Sequence, residues 1–168
     1  MKAAGIIVAV AASLALQTTL GRVVARGTLA VDFVFVVVVY VALTSGPVTG
    51  LLTGAFAGLA QDALSSGIIG IGGLAKTVVG FLAGIVGTQF IVAQPLPRFV
   101  VFLGATALHA AIFMGLYVLL DLRHFGTPYA AVAGQATGNA VVGVVAFQLV
   151  ELLPGAMERR KARARPRR

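Results

Sequence analysis

Charge is scarce in this 168-residue chain: 11% of residues are charged, and only five are acidic. A soluble domain carries roughly 25% charged residues, so an ordinary solvated surface is excluded. There is no cysteine. That removes disulfides and thiolate metal ligation, while fixing no redox compartment. There are two histidines, His109 and His124, and no cluster offers the three or four ligands a metal needs. Catalytic patterns are missing too: no GxSxG elbow, no HExxH and no paired acids on one helix face.

Apolar residues fill the space, at 59% of the chain in long continuous runs. A run of about 18 apolar residues can cross a bilayer as a helix. Barrel strands would alternate instead. The reading is an all-α, polytopic membrane protein. Net charge is +8, but seven of the 13 basic residues fall between Arg159 and Arg168. The charge therefore describes a tail, not a nucleic-acid-binding domain.

Six transmembrane helices are expected, at about residues 3–20, 30–44, 47–63, 71–92, 98–120 and 128–153. The first reads as an uncleaved anchor. Arg22, Arg26 and Gly27 make the polar loop that follows it. The second span is Val-rich, entered through Asp32, and short for a bilayer of about 30 Å, so its ends extend or the membrane thins. Pro47 suits the first turn of the third helix. Pro95 and Pro97 are expected to stop a helix, and Asp121 to Thr127 to make the next turn. Pro154-Gly155 is expected to end the sixth, dividing a 1–154 transmembrane domain from a 155–168 basic tail. An even count puts both termini on one side. With them in the cytoplasm, Lys2, Arg98 and the seven tail cations lie inside against Arg22, Arg26 and Arg123 outside. The tail then lies along an anionic leaflet, or is a stop-transfer flank with no partner.

The stretch from Gly50 to Gly84 is the richest in information. Gly50, Gly54 and Gly58 recur every four residues, so they share one helix face and let another backbone approach closely. With Gly80 and Gly84 they are the candidate helix-packing or partner interface. Asp62 near the end of the third helix and Lys76 early in the fourth sit at similar depth across a short connection. A charge in hydrocarbon must be paired or wet. A salt bridge or a shared water-filled hollow between them is expected, either as a hairpin clamp or as part of a ligand or partner site. His109, Gln135, Thr137 and Asn139 are candidate interhelical hydrogen-bonding groups. Asp32 reads as a helix cap, and Glu151 as a partner for the tail arginines. The glycines from Gly67 to Gly73 lack P-loop spacing to Lys76-Thr77 and read as a turn.

At Gly58-Leu59-Ala60-Gln61-Asp62-Ala63-Leu64-Ser65 the chain resembles the rod shape-determining membrane protein MreD family. The pattern is G-L-x-x-D-x-L-S closing a Gly-rich third helix. Val31-Asp32-Phe33, with the Val-rich run to Tyr40, Leu43 and Ser45-Gly46, is similar to that family's P-D-h-h-h-h-h-x-Y-x-A-L-x-x-G (h, hydrophobic), with Val31 in place of proline. The resemblance implies a non-enzymatic part of the bacterial cell-wall elongation machinery in the inner membrane. It implies work with MreC and, through it, with MreB, RodA and a class B penicillin-binding protein, and no cofactor. It also implies a fold like the substrate-binding subunits of energy-coupling-factor transporters. A vitamin-binding transporter subunit is accordingly the alternative, fitting an outward hollow near Asp62 and Lys76. A lipid-modifying enzyme needs acids or a nucleophile that these residues do not assemble.

Overall fold

The computed structural model describes residues 3–24, 31–65, 68–90, 92, 94–122 and 129–163. Within them the chain forms six helices: α1 (Ala3–Val24), α2 (Phe33–Ser45), α3 (Pro47–Leu64), α4 (Ile71–Gln89), α5 (Pro95–Leu119) and α6 (Tyr129–Arg163). Four of them (α1, α4, α5 and α6) are long and apolar enough to cross a membrane. Large apolar side chains such as Val8, Leu52, Phe56, Phe81 and Val100 face outward, while Asp32, Lys76 and Arg98 are buried. This reverses the soluble pattern, as expected where the surroundings are hydrocarbon.

Helix α2 is the axis of the bundle, touching each of the other five helices. Val34, Phe35, Val36, Val38, Val39, Val41 and Ala42 are all buried. A helix that is apolar all round belongs in an interior. Its 13 residues rise roughly 20 Å at 1.5 Å each. Most of α2 is covered by its neighbours, with Phe33, Val37, Tyr40 and Leu43 half-buried and Thr44 exposed. The main core gathers Phe35, Val36, Val39 and Ala42 from α2 with Val79, Ala83, Phe102, Ala140 and Phe147.

Helix ends follow local chemistry. Gly46 closes α2 and opens α3 at φ 88°, a left-handed backbone that side chains resist. Its N–H returns to the Ala42 carbonyl at 3.0 Å, and Pro47 takes the first position of α3, where a missing N–H costs nothing. Gly70 does the same before α4, at φ 106°.

Several sequence boundaries shift. Pro95 and Pro97 begin α5 rather than merely ending α4, because the first turn of a helix needs no N–H from them. Arg22 falls inside α1 rather than in a loop. The backbone of α6 stays helical past Pro154 to Arg163. Proline removes one interior hydrogen bond, but an otherwise regular helix can carry that loss as a local bend. Arg26, Gly27, Gly67, Arg123, His124 and Thr127 lie outside the described residues.

The glycine seam is internal. Helices α3 and α4 run antiparallel with Gly50 against Gly80, Gly54 against the Lys76 carbonyl, and Gly58 against Gly73. A Cβ on Gly58 would stand 2.6 Å from the Gly73 Cα, inside any tolerable contact. Gly84 lies on Pro47 in the same way. These five glycines thus pack α3 against α4.

Candidate polar site at the head of α2

The other five helices converge on the first turn of α2. Asp32 caps it, its Oδ1 accepting the Phe35 N–H at 2.9 Å. The Asp32 N–H donates to Asn139 Oδ1 of α6 at 2.8 Å. Asn139 Nδ2 donates in turn to Thr106 Oγ1 of α5 at 3.3 Å. Gln17 of α1 accepts the Phe33 N–H at 2.9 Å and donates to the Val31 carbonyl at 3.3 Å. Gln61 of α3 donates from Nε2 to Asp32 Oδ1 at 3.4 Å. The orphan N–H groups of a helix start are thereby met by side chains where water is scarce.

The Lys76 ammonium crosses to this cap. Its Nζ lies 3.1 Å from Asp32 Oδ2, with both side chains almost wholly buried. It also lies 3.4 Å from His109 Nε2. Lys76 therefore pairs with Asp32, not with Asp62. The expected Asp62–Lys76 salt bridge is corrected by this geometry. Asp62 Oδ2 instead accepts the N–H groups of Gly70 and Gly73, each at 2.9 Å. The reason is local: the first turn of α4 leaves its N–H groups unpaired and carries a partial positive charge. Asp62 meets them before it can reach a residue farther along α4.

Both acids and Lys76 nonetheless line one hollow. A cavity of about 410 Å³ lies between the α3–α4 hairpin and the α5–α6 hairpin. Helix α6 makes no contact with α3 or α4 among the described residues, which leaves this gap. Asp32, Lys76 and His109 form the buried floor, and Ser65, Ile68 and Ala131 are exposed at the rim. His109, Phe113 and Tyr117 stack along one wall, with ring centroids 6.0 and 4.9 Å apart in succession. They recur every four residues on α5, so they share a face. Gln135 also lines the cavity. Thr137 turns back to the Ala133 carbonyl of its own helix at 2.8 Å.

The opposite end of the bundle holds a separate ion pair. Arg98 at the start of α5 donates to Glu151 of α6 from both Nη1 and Nη2, the Nη1–Oε2 distance being 3.1 Å. Its Nε donates to the Val92 carbonyl at 3.1 Å, and the guanidinium sits 4.4 Å from the Phe147 ring centre. Glu151 is thus a partner for Arg98; the tail arginine side chains, its expected partners, lie outside the described residues. A planar, bidentate guanidinium donor matches the geometry of a carboxylate.

The Asp32–Lys76–His109 cluster escaped sequence reasoning, which treated Asp32 as a cap alone. The signal was present: an acid at the head of a wholly apolar helix needs a counter-charge, and Lys76 is the one cation within the spans before Arg98. No group of three metal-ligating side chains occurs among the described residues. What the site does chemically is hold charges of both signs, neutral in sum at its floor, beside an aromatic wall.

The profile of the rod shape-determining protein MreD matches residues 3–154, nearly the whole chain. The chain belongs to the MreD family. It is a membrane protein of rod-shape determination. The two segments that suggested MreD, around Asp32 and around Asp62, are the ones that meet at this cavity. No curated protein and no solved structure matches the chain, so the likeness to energy-coupling-factor subunits carries no argument.

Proposed function

We propose that this MreD protein is a non-enzymatic scaffold in the bacterial inner membrane, holding MreC and, with it, the peptidoglycan synthases of the elongation complex. The observation that carries the reading is the family match over residues 3–154. In this reading all six helices span, α2 largely covered by its neighbours, and both termini are cytoplasmic. The cavity at the head of α2 then opens outward, and the Arg98–Glu151 pair lies near the inner surface.

Because the α3–α4 glycines are consumed internally, partners dock elsewhere. Among the described residues helix α1 contacts only α2 and α3, and Ile7 and Val8 are more than half exposed. Association in lipid is driven by packing and hydrogen bonds rather than by hydrophobicity, so a thinly covered helix is a natural docking side. The test is affinity capture of a tagged chain from native membranes after crosslinking. Recovery of MreC is the expected result. Capture that returns neither MreC nor a wall synthase, from cells whose rod shape the tagged copy sustains, would overturn the proposal.

A further inference from the structure

Helix α6 outruns the membrane. The part of it long and apolar enough to cross is Tyr129–Leu152, yet its helical backbone continues to Arg163. At 1.5 Å per residue the overhang reaches roughly 16 Å past Leu152. The headgroup layer adds about 5–8 Å on each side of the hydrocarbon. The backbone of Arg159, Arg160 and Lys161 therefore stands roughly 10–14 Å beyond Leu152, just past that layer. Long basic side chains reach back to an interface from such positions.

The rest of the chain offers this segment no counter-charge. Five acids are present in all. Asp32 is paired with Lys76, and Asp62 meets the first N–H groups of α4. Both lie at the opposite end of the bundle, as does Asp121 after α5. Glu151 is matched by Arg98. Glu158 alone remains, against seven cations from Arg159 to Arg168, six of them arginine. The last eleven residues thus carry a formal side-chain charge of +6. We propose that this segment docks on the phosphates of anionic phospholipids in the leaflet from which α6 emerges. The guanidinium fork matches phosphate oxygens two at a time, and a cluster of this size directly beyond a span is attracted to an anionic surface. Tethering favours lipid over any soluble polyanion, because the segment never leaves the bilayer surface and meets it at high effective concentration. Only the name of that leaflet, the cytoplasmic one, rests on the orientation proposed above.

The experiment places the full chain in nanodiscs of phosphatidylcholine alone, or of phosphatidylcholine with phosphatidylglycerol as one lipid in three. Ala162→Cys gives the chain its only thiol, for a fluorophore that shifts to the blue near lipid and is quenched by neutral aqueous acrylamide. The expected result is a blue-shifted, shielded fluorophore in the anionic discs and an accessible one in the neutral discs. Salt at about 1 M, where screening acts within about 3 Å, should release it. Replacing Arg165, Arg167 and Arg168 together with Gln should lower the docked-to-free ratio roughly a hundredfold, at about fivefold per cation. Equal shielding in both discs would overturn the proposal, since apolar insertion needs no anionic lipid. A fluorophore that stays exposed in the anionic discs would overturn it too, and a response to added polyglutamate would then point to an acidic protein surface instead. Either failure leaves the proposed orientation standing, because both faces of these discs are alike.

Discussion

At the scale of single residues, the Lys76–Asp32 pair decides stability. Removing one member of a buried pair strands the other, which costs about 3–5 kcal/mol. Lys76→Met should therefore lower the unfolding temperature of the detergent-purified protein sharply. Asp32→Asn keeps a good helix cap but strands the ammonium. The Lys76→Met, Asp32→Asn double variant should be clearly more stable than the two single effects predict, with a coupling on the order of 1–3 kcal/mol. Additive single effects would show that the contact at 3.1 Å carries no energy. Asp62→Asn is a milder change, because an amide oxygen can still accept the N–H groups of Gly70 and Gly73. It should cost about 1 kcal/mol, the usual worth of a charge at a helix start. The sequence made legible that Asp62 and Lys76 needed partners, since hydrocarbon tolerates no lone charge. It did not make the partners legible. Pairing Lys76 with Asp32 depends on how α4 is rotated toward α2, and no short connection records that.

At the scale of elements, the α3–α4 seam is the rigid unit. A methyl group at Gly54 meets the Lys76 carbonyl, and one at Gly80 meets the Gly50 carbonyl. Backbone cannot step aside as a flexible side chain does, so the helices must separate. Gly54→Ala and Gly80→Ala should each lower stability by about 1–3 kcal/mol, the cost of overpacking, read as a fall in unfolding temperature. Gly115→Ala is the control: nothing lies within 4 Å of its would-be Cβ. There alanine should be neutral or stabilise by up to about 1 kcal/mol through helix propensity. If all three variants behave alike, the seam is looser than its geometry. The four-residue spacing of Gly50, Gly54 and Gly58 was readable as a close-packing face. Which helix filled it was not, because bare glycine accepts any backbone. The burial of α2 was hidden for a related reason: an all-apolar helix looks the same whether lipid or protein surrounds it, and only its 13-residue length hinted at the interior.

At the scale of the whole molecule, the remaining question is which end faces out. The alternation of the helices puts the α3–α4 connection and the cavity rim at one end, and the Arg98–Glu151 pair at the other. The proposed orientation puts the second end in the cytoplasm, on charge that lies mainly in the tail. The missing cysteines turn this into a clean measurement, since any thiol introduced is the only one in the chain. Ile69, 66% exposed beside the cavity, and Leu96, 72% exposed at the start of α5, are the positions to use. In intact spheroplasts a membrane-impermeant maleimide should label Ile69→Cys and spare Leu96→Cys, and both should react once the membrane is opened. The reverse pattern would invert the molecule, turning the cavity to the cytoplasm and the tail to the outside. Labelling of both in intact spheroplasts would mean that α4 does not cross, against a length of 19 residues and a mean hydropathy that suit a span. Only the expected pattern agrees with the orientation that the positive charges of the chain favour.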